Sequence, residues 1–112
     1  MAPQSLLAME MAKYILAILR SQLMIVFSWG FHNPVALNNG LQFQVNGYKH
    51  KGKVQVKYDE GSDLFSVILL DRTGKETRKE EGIYLDCLVN VIDRLVEKTD
   101  DYSSRVRSQY GL

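Results

Sequence analysis

Residues 41–58 read LQFQVNGYKHKGKVQVKY and carry the clearest structural signal in this chain of 112 residues. The first part alternates apolar and polar side chains, with the two-residue period of a half-buried β-strand, over Leu41, Gln42, Phe43, Gln44 and Val45. Asn46-Gly47 follows and favours a two-residue type I′ hairpin, which would pair Val45 with Tyr48. The sequence therefore predicts an antiparallel hairpin at the centre of the fold.

The same register continues through the second strand and divides the hairpin into two faces. The apolar face gains Tyr48, His50, Val54, Val56 and Tyr58. The opposite face carries seven polar side chains, which we call the lysine set: Gln42, Gln44, Lys49, Lys51, Lys53, Gln55 and Lys57. A slip by one residue would exchange the two faces and bury the lysines, so the lysine set is predicted to face solvent.

The N-terminal part of the chain is predicted to form a mostly apolar helix. Pro3 suits the first turn of a helix, and the helix is predicted over residues 4–23 with only a narrow polar stripe. Residues 24–31 are rich in aromatic and β-branched side chains, which favours a strand, although the helix could continue through Val26. His32-Asn33-Pro34 ends this segment, and residues 38–40 are predicted to be a loop.

Three further segments follow the hairpin. Residues 64–70 are apolar on both faces and predict a third, central strand. Residues 75–81 are so polar that they predict an edge strand or a loop. An amphipathic helix is predicted over residues 83–98. Its apolar face comprises Tyr84, Cys87, Leu88, Val91, Ile92 and Leu95, and its polar face Asp86, Asn90, Asp93, Arg94 and Glu97.

These segments predict one α+β domain over residues 1–100, followed by a flexible tail at residues 101–112. The domain would comprise an N-terminal helix, an antiparallel β-meander of three to five strands and a C-terminal helix. Both helices are predicted to pack on one face of the sheet, which leaves the other face to solvent.

Charge is distributed unevenly along the chain. No Asp or Glu occurs between Met11 and Tyr58, although the net charge of the whole chain is only +1. The lysine set therefore predicts one of two roles: it binds the phosphates of a nucleic acid, or it keeps an outer sheet face solvated. Residues 51–58 resemble the strand motif of RNA-recognition domains, but Lys53 and Gln55 replace the aromatic side chains of that motif.

No set of residues points to catalysis or to a bound cofactor. The single cysteine, Cys87, falls on the predicted buried face, and no His or Cys spacing matches a zinc site. His32 lies beside Trp29 and Phe31, which suggests the rim of a pocket, but no acid or cysteine stands near it in sequence. The sequence thus predicts a protein that is not an enzyme and holds no metal or cofactor. The absence of signal-peptide, membrane-span and disulfide signals predicts a cytoplasmic location.

Apolar side chains exceed what one small core needs. The first helix is apolar over most of its circumference, and the strand at residues 64–70 is apolar on both faces. Either the two helices and residues 24–31 cover all of this surface, or an uncovered part binds a second copy of the chain or another protein. The second alternative predicts a non-enzymatic interaction module. The lysine set predicts a nucleic-acid accessory protein as the other candidate function.

A resemblance to known sequences rests on three segments. They are residues 29–34 (WGFHNP), residues 40–52 (GLQFQVNGYKHKG) and, in the predicted helix, residues 84–86 (YLD) with residues 91–93 (VID). In these segments the chain resembles small uncharacterised α+β proteins of gut-commensal bacteria, a domain of unknown function. The resemblance implies a bacterial α+β protein and brings no activity, cofactor or site residue with it.

Overall fold

The computed structural model describes residues 2–97, with the side chains of residues 10–97. The elements in chain order are α1 (Ala2–Arg20), α2 (Leu23–Ser28), β1 (His32–Leu37), β2 (Gly40–Asn46), β3 (Lys51–Asp59), β4 (Leu64–Leu70), β5 (Glu76–Ile83), a 3₁₀ turn (Leu85–Cys87) and α3 (Leu88–Val96). The strands form one antiparallel sheet in the order β1-β2-β3-β4-β5. This architecture confirms the predicted α+β class. The predicted tail at residues 101–112 lies outside the described residues.

The strand register gives the sheet an inner face, which the helices cover, and an outer face. On the inner face, Phe43 lies opposite Val54, and Val54 lies opposite Leu69 on β4. The core joins these strands to the helices, and its most buried members are Ile15, Leu19, Trp29, Phe43, Val54, Val56, Val67, Leu88, Ile92 and Val96, each exposed by no more than 1%. Full burial of a large apolar side chain contributes about 1.5–3 kcal/mol, so this shared core holds the helices on one sheet face, as predicted.

The prediction of a two-residue hairpin at Asn46-Gly47 is wrong. Four residues, 47–50, join β2 to β3, and Val45 lies opposite Gly52 instead of Tyr48. The register has shifted by four residues relative to the prediction, and an even shift leaves the strand residues on their predicted faces. Tyr48, however, leaves the apolar face and is 65% exposed. The two-residue connection lies between β1 and β2, at Asn38-Asn39.

The longer connection between β2 and β3 is explained by its contact with the end of α3. The backbone N–H of Lys49 donates to the carbonyl oxygen of Val96, with 2.8 Å between N and O. The backbone N–H of Tyr48 donates to a carboxylate oxygen of Glu97 at 2.7 Å. The last carbonyl groups of a helix have no hydrogen-bond partner within the helix. N–H groups of a loop at that position therefore provide hydrogen bonds for the helix end and for the loop. These tertiary contacts override the local preference of Asn46-Gly47.

The N-terminal helix is shorter than predicted and is followed by a second helix. Backbone helix geometry breaks at Ser21-Gln22 and resumes at Leu23, so residues 24–28 are helical and not a strand. The chain then turns at Gly30, whose φ of +69° lies in the left-handed region that favours glycine. No helix among the described residues is long and apolar enough to cross a membrane.

The C-terminal helix begins later than predicted. Ile83 belongs to β5, where it pairs with Phe65 of β4 and is buried. Residues 76–83 therefore form the edge strand that was one of the two predicted alternatives, and the α-helix begins only at Leu88. Ile83 also fits the apolar period of the predicted helix, and its pairing with β4 decides in favour of the strand.

The late helix start changes which side chains the helix buries. Tyr84 is 66% exposed and Cys87 is exposed, although both were predicted on the apolar face. Asp93, predicted on the polar face, is only 8% exposed. Its Oδ1 accepts a hydrogen bond of 3.0 Å from the indole Nε1 of Trp29, which compensates the burial of the carboxylate.

Candidate functional site

The structure brings six of the seven residues of the lysine set together on the outer face of the sheet. Gln44 lies opposite Lys53, and Gln42 lies opposite Gln55. The carboxamide Nε2 of Gln55 donates to Oε1 of Gln42 at 2.9 Å. The remaining members on this face are Lys51, at the start of β3, and Lys57, two residues after Gln55.

Lys49 lies on the other side of the sheet. It belongs to the connection between β2 and β3, and its Nζ donates to the carbonyl oxygen of Arg94 at 2.6 Å. A positive charge at the C-terminal end of a helix is favourable because the free carbonyl groups there carry partial negative charge. The prediction that Lys49 shares a surface with the other lysines is therefore wrong, and its contacts belong to the C-terminal end of α3.

The outer-face lysines also cover an apolar side chain. Ile68 is on the outer face of β4, opposite Gln55 and Lys79, yet it is only 6% exposed and stands apart from the main core. Lys53 and Lys57 flank Gln55 along β3 and are half-buried. We infer that the alkyl stems of the lysines shield Ile68 while the amines reach water. Packing and charge are thus combined in the same side chains.

One end of the outer face contains a cavity of about 430 Å³, which we call the basic pocket. It is lined by His32, Gln44, Val45, Asn46, Gly52, Lys53 and Arg72. Two of these residues, Gln44 and Lys53, belong to the lysine set, and no carboxylate is among the lining residues. His32, predicted at a pocket rim, does line a cavity, but Trp29 and Phe31 are not among the lining residues. Arg72 gave no sequence signal beyond its position in a turn.

A tight turn holds the backbone on either side of Arg72. The Asp71 carboxylate accepts hydrogen bonds from the hydroxyl of Thr73 at 2.6 Å, and from the backbone N–H groups of Thr73 and Lys75 at 2.9 Å each. These bonds, above all that from the Thr73 hydroxyl, hold the pKa of Asp71 below its ordinary value of 3.8. Asp71 therefore orders the loop that carries Arg72 beside the sheet.

His32 is held by its own backbone neighbourhood. Its Nδ1 lies 2.7 Å from the carbonyl oxygen of Gly30. A carbonyl oxygen only accepts hydrogen bonds, so this contact assigns the proton to Nδ1. Nε2 is then the nitrogen left for another partner, as an acceptor in the neutral ring and as a donor in the charged one.

A second surface of the protein is apolar. Leu23, Met24 and Phe27 project from α2 and are 45%, 83% and 65% exposed, and we call these three side chains the apolar surface. They adjoin a groove of about 280 Å³ between the first two helices and β1. The groove is lined by Leu16, Leu19, Arg20, Leu23, Val26, Phe27, Phe31 and Pro34. Residues 24–31, one of the segments expected to cover the excess apolar side chains, thus expose large apolar side chains of their own.

The neighbouring edge strand is poorly suited to pairing with another strand. In β1, Pro34 has no backbone N–H, Asn33 takes a left-handed φ of +55°, and the pairing with β2 is irregular between His32 and Val35. Such features interrupt the row of hydrogen-bonding groups that a partner strand would need. Contacts of this edge with another molecule are therefore expected through side chains and not through backbone pairing.

The described residues contain no group of three or more His, Cys, Asp or Glu side chains that could hold a metal ion. The resemblance to small bacterial proteins stays a prediction. In comparisons with known proteins, no family model, curated protein or solved structure matches this chain.

Proposed function

We propose that this chain is a non-enzymatic interaction module of the cytoplasm that self-associates through the apolar surface. The observation that carries the proposal is the exposure of Met24 and Phe27, at 83% and 65%, beside an apolar groove. Covering such surface contributes about 25 cal/mol for each Å² of apolar area removed from water. Three large apolar side chains projecting from a helix of six residues are typical of an interface.

A second copy of the chain is the partner that fits this region. The region offers both projecting side chains and a groove lined by apolar residues, and Arg20 is the charged residue among the lining residues. A surface with both features can pair with itself about a twofold axis, so that each copy inserts side chains into the groove of the other. The interrupted edge of β1 favours this side-chain contact over a continuous sheet between copies.

Replacing Phe27 with lysine tests this association. The substitution removes an exposed ring from the apolar surface and adds a charge. In a twofold dimer both copies carry the substitution, so the interface is weakened at two symmetric positions. Loss of about 1.5–3 kcal/mol at each of two symmetric sites corresponds to a dissociation constant raised at least about 100-fold. Sedimentation equilibrium over a wide concentration range measures this constant, with a dimer expected for the unchanged chain.

Tyr84→Lys is the matched control, because Tyr84 is 66% exposed and lies outside the apolar surface. It removes an aromatic ring of equal exposure, adds the same charge and is expected to leave the dissociation constant unchanged. If the chain without substitutions stays monomeric at millimolar concentration, self-association is ruled out. Equal weakening by both substitutions would mean that net charge, and not the apolar surface, controls it.

Docking of a nucleic acid on the outer face is a second candidate function. Lys51, Lys53 and Lys57 lie along one strand on this face, with carboxamides of the neighbouring strand beside them. Acids border this row: Asp59 follows two residues after Lys57 at the end of β3, and the Glu81 carboxylate on β5 lies 3.5 Å from Nζ of Lys79. Phosphate groups would therefore meet positive charge along β3 from Lys51 to Lys57, with Asp59 at the end of this row.

Changing Lys51, Lys53 and Lys57 together to glutamine tests this docking. If each lysine binds one phosphate of a duplex, the slope of log affinity against log salt is expected to become shallower by about 2 to 3. Fluorescence anisotropy with labelled single- and double-stranded oligonucleotides at several salt concentrations measures it. Glutamine keeps part of the alkyl stem over Ile68, so the fold should persist.

Lys49→Gln is the control for this experiment, because Lys49 contacts α3 on the other side of the sheet. It removes one positive charge from the same stretch of sequence and is expected to leave the affinity and the salt slope unchanged. If the unchanged chain does not bind either oligonucleotide at low salt, this second candidate function is excluded.

A further inference from the structure

We propose that the basic pocket binds a single phosphate monoester group, carried by a small phosphorylated molecule or by the end of a nucleic acid chain. This inference concerns a different part of the molecule from the apolar surface and does not depend on self-association. It also differs from docking along the outer face, because it assigns one phosphate to one cavity.

The charges of the basic pocket are suited to such a group. Among the described residues, Lys53 and Arg72 have no ion-pair partner, whereas Arg94 on the helix side bonds both carboxylate oxygens of Glu80 at 2.8 and 3.1 Å. A phosphate monoester carries a charge of about −1.5 to −2 at neutral pH, which two cations would balance. The planar guanidinium of Arg72 can also donate two parallel hydrogen bonds to phosphate oxygens.

Neutral hydrogen-bonding groups stand beside the cations. The carboxamides of Gln44 and Asn46 line the cavity and have no hydrogen-bond partner among the described side chains and backbone. His32 presents the ring nitrogen that Gly30 leaves free. These groups supply donors for the remaining phosphate oxygens and acceptors for hydroxyl groups of an attached organic part.

Gly52 explains how Arg72 comes close to the sheet. A Cβ atom at position 52 would lie 2.4 Å from the carbonyl oxygen of Leu70 and 3.2 Å from the carbonyl carbon of Asp71. The missing side chain therefore lets β3 approach the backbone of the turn that carries Arg72. In the same register Lys53 pairs with Leu70, so Lys53 and Arg72 line the same cavity.

The size of the cavity favours a small phosphorylated group. A volume of about 430 Å³ lies in the lower part of the range of about 300–1,000 Å³ that is typical of small-molecule pockets. The rival site is a cavity of about 540 Å³ on the helix side, lined by Lys49, His50, Leu69, Thr77, Arg78, Arg94 and Leu95. There Arg94 is paired with Glu80, and Lys49 Nζ bonds a carbonyl oxygen, so less charge is left for a ligand.

Calorimetric titration of the full chain with a nucleoside 5′-monophosphate, and with the same nucleoside without phosphate, tests the proposal. We expect the monophosphate to bind and the nucleoside to give no heat. Arg72→Gln is expected to weaken binding of the monophosphate at least about 10-fold, because it removes charge-assisted hydrogen bonds. Arg72→Lys keeps the charge but not the planar guanidinium. Its affinity for the monophosphate is expected to lie between those of the unchanged chain and Arg72→Gln.

Lys57→Gln is the matched control, because Lys57 shares the outer face but does not line the basic pocket. It should leave the monophosphate affinity within about two-fold of the unchanged chain. Binding of the nucleoside and the monophosphate with equal affinity would overturn the proposal. Equal weakening by Lys57→Gln and Arg72→Gln would overturn it too, since the attraction would then be spread over the face. Far-UV circular dichroism confirms that each variant is folded.

Two further titrations distinguish the source of the phosphate. A short single-stranded oligonucleotide is compared with and without a 5′-phosphate, each in competition with the monophosphate. If only the oligonucleotide with the 5′-phosphate displaces the monophosphate, the pocket is assigned to nucleic acid ends. If neither oligonucleotide displaces it, the pocket is assigned to free phosphorylated molecules. Both results support the pocket. Phe27→Lys should bind the monophosphate like the unchanged chain, so failure of self-association is separable from failure of this site.

Discussion

Trp29→Ala is expected to lower the free energy of unfolding by about 3–5 kcal/mol, as for other fully buried aromatic side chains. Trp29 is 0% exposed, its ring is stacked with that of Phe43 at 6.3 Å between centroids, and its indole N–H bonds Asp93. The substitution leaves a cavity and also leaves the buried carboxylate without this donor. Since small domains have a total stability of about 5–15 kcal/mol, much of the fold's margin would be lost. Urea unfolding followed by far-UV circular dichroism measures the change.

Two variants separate the packing contribution of Trp29 from the hydrogen bond. Asp93→Asn keeps an oxygen acceptor for the indole N–H and should cost much less than Asp93→Ala, which leaves the donor unpaired. Tyr84→Ala removes an aromatic ring that is 66% exposed and should change the stability by no more than about 0.5 kcal/mol. A loss below about 1 kcal/mol for Trp29→Ala would show that Trp29 is not central to the core.

Gly40→Ala is expected to destabilise the protein by about 3 kcal/mol, the upper part of the usual range for overpacking. A Cβ atom at position 40 would lie 1.8 Å from the carbonyl oxygen of Val56 and 2.9 Å from its carbonyl carbon. Both atoms are backbone atoms of the neighbouring strand, so they cannot move aside without separating β2 from β3. Chemical unfolding curves of the variant and the unchanged chain give the difference in free energy.

Gly61→Ala is the control for this substitution. Its added Cβ would meet only Asp59 Oδ1, at 3.9 Å, which is an ordinary contact. The same change of one methyl group should therefore be neutral, or stabilise slightly by restricting the unfolded chain. If Gly40→Ala proved as harmless as Gly61→Ala, the close approach of β2 and β3 at this point would be wrong.

The faces of the sheet could be predicted from the sequence, because the alternation of Gln and apolar residues in β2 continues as Lys and Val in β3. This two-residue period assigns a side to each strand residue whatever the length of the connection, provided that any shift is even. The register itself could not be predicted. Asn46-Gly47 carries a strong local preference, but the contacts of Lys49 with α3 lie more than forty residues away in sequence.

The residues of the basic pocket, too, could be predicted from the sequence only where they follow a local pattern. Gln44 and Lys53 could be assigned to the outer face because both follow the strand period. Arg72 lies in a turn, and its place beside Lys53 depends on the close contact between Gly52 and Leu70, which no local pattern encodes. Asp93 was likewise assigned to solvent by the helical period, since its partner Trp29 is 64 residues away.

The strand order has a consequence for how the chain folds. Because every strand pairs with its neighbour in sequence, the sheet can form one hairpin at a time, with short loops and a small loss of chain entropy at each step. The hydrogen bond between Trp29 and Asp93 instead closes 64 residues at once. Local pairing is favoured early in folding, so we expect the sheet to form before α3 docks on it. Trp29, the single tryptophan of the chain, would then report that last step.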